Sequence, residues 1–149
     1  MKRLILFLSF VLTCASCSND NDDGSNIAFT TIIQTDHYGG TSGTIPQSNL
    51  VITNQTDWNN LQEKLNILTL AIYTSPDMNV DFTKQQVIAV FDQVRNSGGY
   101  SIDITKITQS NNLITVKVEQ LKKGDLTSVI TQPFHIVKMA KSSKPVVFK

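Results

Sequence analysis

Beyond residue 26 the apolar residues mostly recur at a two-residue spacing or in short unbroken runs, so the pattern predicts a domain built mainly of strands. Ile27 to Thr35 (IAFTTIIQT) is rich in β-branched residues and reads as a first strand, and Leu50 to Thr53 as a second. The period then changes. Trp58, Leu61, Leu65 and Leu68 share one face of a helix near residues 56–68, with Thr56 as its N-cap and Asp57 at the positive end of its dipole. Asn66 to Asp81 lacks a period and reads as loop, with a turn at Pro76 and Asp77. Val87 to Phe91 (VIAVF) is apolar at every position, which predicts a central strand covered on both faces.

Tyr100, Ile102 and Ile104 alternate with polar residues, and Ile107 falls out of phase, so a bulge is expected near Thr105 and Lys106. Ser110, Asn111 and Asn112 predict a hairpin turn into Ile114, Val116 and Val118. Apolar residues resume at Val129 and Ile130 and run through Phe134, Ile136, Val137 and Met139. Pro133 within that run predicts an edge strand or a bulge, because proline donates nothing to a ladder. Val146 to Phe148 closes the sheet. The expected fold is α+β: a mainly antiparallel sheet with one covering helix.

The N-terminal residues read differently. Lys2 and Arg3 precede an apolar stretch from Leu4 to Leu12, far short of the about 20 apolar residues that span a bilayer, as in an export signal. Cys14-Ala15-Ser16-Cys17 resembles a lipobox. Residues 1–16 are then a signal peptide, Cys17 the lipidated N-terminus, residues 17–26 a flexible tether (SNDNDDGSN after the cysteine), and residues 27–149 the domain. The alternatives are cleavage after Thr13, or Cys17 as a free thiol or paired with Cys14. The aspartates after Cys17 are similar to the acidic signals that carry some Gram-negative lipoproteins to the outer face. The expected location is the cell envelope, as an outer-membrane lipoprotein exposed at the surface.

Losing Lys2 and Arg3 takes the formal net charge from +1 to near zero, which gives no footing for nucleic acid. With only two cysteines, both beside the signal, the domain has no disulfide and no thiolate chemistry. The two histidines, His37 and His135, fall in unrelated contexts, and no nucleophile elbow, metal-ligand spacing or phosphate loop is present. No cofactor, metal or reaction is expected, although Asp92, Asp103 and His135 leave room for carboxylate or imidazole chemistry if two of them converge. No feature selects an oligomeric state.

Arg95 to Tyr100 (RNSGGY) follows the central strand. Gly98 and Gly99 permit positive φ and close backbone approach, while Arg95 and Tyr100 offer a cationic and an aromatic handle. The segment is either a recognition loop formed by Arg95, Ser97, Gly98, Gly99 and Tyr100, or a plain turn that starts the next strand. DFTKQQVIAVFDQVRNSGGYSIDI with TQPFHIVKM resembles the PrcB family and its C-terminal domain, and the likeness extends more loosely through YGGTSG and VITNQTDWNNLQ. Ser97 stands where the family pattern has threonine. The family is named for a subunit of a secreted spirochaete protease complex, so the resemblance implies a non-catalytic accessory that binds or stabilises a protease. Protease inhibition is the alternative, since a glycine-rich loop before an aromatic bears a distant likeness to β-sandwich inhibitors of the chagasin type.

Overall fold

The computed structural model describes residues 24–36, 45–65 and 76–149. The export signal, Cys14, Cys17, most of the tether, His37, the YGGTSG segment and Leu68 lie outside the described residues.

Among the described residues, eight strands form two four-stranded sheets. β1 (Ser25–Asn26), β5 (Asp103–Gln109), β6 (Ile114–Glu119) and β8 (Val146–Phe148) make the first, in the order β1-β5-β6-β8. β2 (Phe29–Thr35), β3 (Ser48–Ile52), β4 (Gln85–Phe91) and β7 (Phe134–Ala140) make the second, in the order β2-β7-β4-β3. Every pairing is antiparallel except β6 with β8. Among the described residues one α-helix, α1 (Gln55–Lys64), packs on the second sheet, and a single 3-10 turn lies at Pro76–Met78. The fold is therefore α+β with the sheets dominant, as the patterning predicts.

β4 shows how the layers form. Its alternate residues Ile88 and Val90 join Ile104, Ile107, Ile114 and Val116 of the first sheet in one apolar core. Val87, Ala89 and Phe91 point the other way, into a second core with Trp58 and Leu61 of α1. An unbroken apolar run is what a strand needs when both faces are covered. Trp58 is fully buried, its indole N–H donating to the Met78 carbonyl at 3.4 Å.

The bulge expected near Thr105 is present: the β5–β6 register shifts between Ile104 and Lys106, which turns Ile107 inward. A second shift, in β2 between Thr31 and Ile33, allows Ile32 and Ile33 to be buried side by side.

Several expectations are corrected. The N-cap of α1 is Asn54, whose Oδ1 accepts from Asp57 N–H at 2.9 Å; Thr56 lies inside the first turn. Ser25 and Asn26, expected in the tether, pair with Gln109 and Thr108 as β1. The strand holding His135 starts only at Phe134, and it is interior, between β2 and β4. Pro133 sits just before it, where its missing N–H costs the ladder nothing and its carbonyl accepts from Asp92 N–H at 2.9 Å. Val129 and Ile130, expected in the strand, are in the preceding loop and exposed.

Candidate functional site

Two long connections leave the same end of the sandwich: residues 92–102, from β4 to β5, and residues 120–133, from β6 to β7. They are joined along their length. Arg95 and Thr131 exchange backbone hydrogen bonds at 2.8 and 3.0 Å, and the Thr131 hydroxyl donates to the Ser97 carbonyl at 2.8 Å. Gly98 N–H donates to both oxygens of Thr127, and Gly98 C=O accepts from Asp125 N–H at 2.9 Å. Gly124 N–H donates to Gly99 C=O at 3.1 Å, and Ser101 N–H to Lys122 C=O at 3.2 Å. Loops joined in this way are fixed in shape without belonging to a sheet.

The glycines are what the close approach requires. Gly99 and Gly124 have φ of 73° and 97°, a region that costs other residues about 1 kcal/mol or more. A Cβ on Gly98 would fall 2.5 Å from the Thr127 hydroxyl, and one on Gly124 would fall 2.5 Å from the Tyr100 ring. In the RNSGGY segment the glycines therefore serve to seat the opposite loop.

Charges lock the base of this clasp. Asp92 is 1% exposed, and its Oδ2 accepts from Arg95 Nε at 3.0 Å, Arg95 Nη2 at 2.7 Å and Gln120 Nε2 at 3.1 Å. Oδ1 takes the Gln93 N–H at 2.8 Å. The guanidinium lies 4.6 Å from the centre of the Tyr100 ring, a cation–π contact. Arg95 is thus held on one side by a carboxylate and on another by an aromatic face. Asp103 is also buried, and it accepts from Ser101 Oγ, Gln34 Nε2 and, at 3.1 Å, Leu121 N–H.

His135 ties the two sheets together just beneath. Its Nδ1 accepts from Ile104 N–H at 3.0 Å, at the bulge in β5, so the ring proton sits on Nε2 and is directed to Thr31 Oγ1 at 3.0 Å. Burial holds the imidazole below its ordinary pKa, with the Asp103 charge a smaller opposing influence. Both nitrogens are occupied within the fold. Of the three residues that could carry acid–base chemistry, Asp103 and His135 are neighbours and Asp92 is tied to Arg95. Among the described residues, no group of three or more His, Cys, Asp or Glu is placed to hold a metal ion, and no helix is long and apolar enough to cross a membrane.

The clasp also carries a feature the patterning misses. Residues 121–130 are all exposed, and they include Leu121 (65%), Leu126 (102%), Val129 (48%) and Ile130 (54%), with Val94 alongside from the other loop. Leu126 stands at the apex, between two residues that both bond to Gly98, and the Asp125 carboxylate closes the turn by accepting from Thr127 N–H and Oγ1. Those bonds hold the Asp125 carboxyl below its usual range. The signal available in the sequence was Gly124 on one side and Pro133 on the other, two strand-breakers bracketing an apolar stretch without alternation.

The candidate residues Arg95, Ser97, Gly98, Gly99 and Tyr100 are thus brought together, with much of their bonding capacity turned toward the 120–133 loop. A polar cleft of about 470 Å³ opens on the other side of Tyr100, between Gln34 to Asp36, Asp103 and Lys122.

Comparison with curated proteins and with solved structures gives no match. A family model does match: residues 86–140, from β4 through β7 with both loops of the clasp, correspond to the family described as PrcB C-terminal. Over that segment, rather less than half of the chain, the protein is similar to the PrcB C-terminal family.

Proposed function

We propose that the protein is a non-catalytic lipoprotein of the cell envelope that works by binding protein, as an accessory or stabilising partner of a secreted protease. The observation that carries this reading is the clasp. Two loops cross-linked by backbone hydrogen bonds and by the Gln120 amide on Asp92 present exposed apolar side chains in a fixed arrangement, which lowers the entropy lost on docking. Similarity over residues 86–140 to a family named for a protease-complex subunit supports the protease as the class of partner.

The fold also gives the surface a direction. β1 pairs Ser25 with Gln109, at the end of β5 that leads into the Ser110–Leu113 turn, whereas the clasp lies beyond Asp103 and Glu119 at the opposite end. A chain anchored through Cys17 enters the domain at the end far from the clasp. With only a few residues between Cys17 and Gly24, the apolar apex then points away from the membrane that holds the anchor.

The test is deletion of the protein in its native cell, with the envelope and secreted proteases quantified. A several-fold fall in one protease, restored by the wild-type chain, is expected; unchanged levels and activities of every secreted protease overturn the accessory reading. A rise in proteolysis on deletion would instead favour inhibition. Cys17→Ser should move the protein from the membrane pellet to the soluble fraction, and full retention in the pellet would refute lipidation at that residue.

A further inference from the structure

Resting on the protein-binding reading, we infer that the partner docks on the 120–131 loop rather than on the Arg95–Tyr100 loop, with Leu126 inserted into an apolar pocket whose rim carries carboxylates. The geometry separates the two loops by role. Arg95 is engaged by Asp92 and Tyr100, Gly98 is buried, and Gly98 and Gly99 give their backbone groups to the opposite loop. That loop spends its backbone groups inward and its side chains outward. Leu126 is fully exposed on a turn that is pinned on both sides, which is the form of a preorganised anchor: apolar area available for burial with little loop entropy left to lose.

Charge selects the partner's rim. Lys122 and Lys123 are exposed next to Leu121, and neither amine has a partner among the described residues. Of the other charges of the clasp, Arg95 is paired with Asp92, while the exposed Asp125 carboxylate, hydrogen-bonded by Thr127, keeps its negative charge. Residues 122–125 therefore set two lysines against one aspartate, a net positive charge that complements an acidic rim and speeds encounter with it. Lysines beside aliphatic side chains would also suit an anionic lipid surface. The position of β1 argues against that occupant, because the chain enters the sandwich at the other end.

A photoreactive benzoylphenylalanine placed at position 126, and separately at Val147 on the edge strand β8 as a control, tests the inference in the native cell with the lipidated full chain. The expected result is a crosslink from 126 to one protease or protease-complex subunit, absent from 147. The affinity of that identified protein for the full chain should then fall about tenfold or more with Leu126→Ala. It should weaken with rising salt in the wild type and lose most of that dependence in the double variant Lys122→Gln, Lys123→Gln. Since Leu126 touches little of its own fold, thermal unfolding of Leu126→Ala should match wild type, and a matched fold with unchanged affinity overturns the inference. Crosslinking to a protease from 147 alone overturns it while leaving the accessory reading intact. Absence of any protease crosslink, with protease levels unaffected by deletion, removes both. Binding of Cys17→Ser protein to phosphatidylglycerol vesicles that is lost with Leu126→Ala, or self-association lost the same way, assigns the apex to lipid or to a second copy and overturns the inference.

Discussion

The two ends of the sandwich are closed by opposite means. At the chain-entry end, β5 turns into β6 through Ser110 to Leu113, and the turn is closed chiefly by its own bonds, with the Lys144 ammonium added on the Ser110 carbonyl: Ser110 N–H donates to Leu113 C=O at 2.9 Å, and Ser110 Oγ accepts from Leu113 N–H at 3.3 Å. At the far end, residues more than 25 positions apart are bonded to one another, and a buried carboxylate holds an arginine, a glutamine and a backbone amide together. The first end only reverses the chain. The second uses more buried polar groups than chain reversal requires, each one costly if left unpaired. Such an investment is understandable where the loops must keep one shape for a partner.

The largest effect is expected at Asp92. Asp92→Ala strips a half-buried guanidinium of its counter-charge and leaves Gln120 and the Gln93 amide without their acceptor. A loss of about 3 kcal/mol in urea unfolding is expected, together with faster hydrogen exchange at Arg95 and Thr131. A loss below about 1 kcal/mol would mean that backbone pairing alone holds the clasp, and the contrast between the two ends would lose its electrostatic half.

A smaller, pH-dependent effect belongs to His135, which joins β5 to β7 directly beneath the clasp. Burial depresses its folded-state pKa, so the native state resists a proton that the unfolded chain accepts near pH 6.5. Below that pH the unfolded state binds more protons, and stability falls as pH drops toward the depressed native value. The loss is on the order of 1 kcal/mol for each unit between the two values. Unfolding measured at pH 7.5 and 5.5 should show this loss in the wild type and less of it in His135→Gln. An equal loss in both would assign the pH dependence to other groups.

What the sequence made legible follows the same division. The run Val87–Phe91 announced a strand buried on both faces, and the phase slip at Ile107 announced a bulge, because each depends on a period that neighbouring residues share. The turn at Ser110 was equally plain. Asn54 and Thr56 are both cap-forming residues two positions apart, and only the direction of the Asp57 amide decides between them. The clasp was hidden for a stronger reason. Val129 and Ile130 look like core because burial is inferred from side-chain type, while their exposure is set by Arg95 pairing with Thr131 and Gly98 with Thr127. Pairs so distant in sequence leave no period to read. The RNSGGY segment could be singled out, but its glycines were legible only as freedom of the backbone, not as the seat for another loop.

The smallest effect should come from the simple end. Ser110→Ala removes one hydroxyl that accepts from Leu113 N–H at 3.3 Å and from Asn112 N–H at 3.4 Å, both long, while the backbone bond from Ser110 to Leu113 and the Lys144 ammonium on the Ser110 carbonyl at 2.8 Å remain. The turn is solvated, so water replaces what the hydroxyl gave, and a loss of about 0.5 kcal/mol is expected. Hydrogen exchange at Arg95 and Thr131 should stay at its wild-type rate apart from that global change. A loss above about 2 kcal/mol, or selective loosening of the clasp from a substitution at the opposite end, would show that the two ends are coupled through β5 and β6, and the apex could not then be treated as a surface shaped by its own contacts.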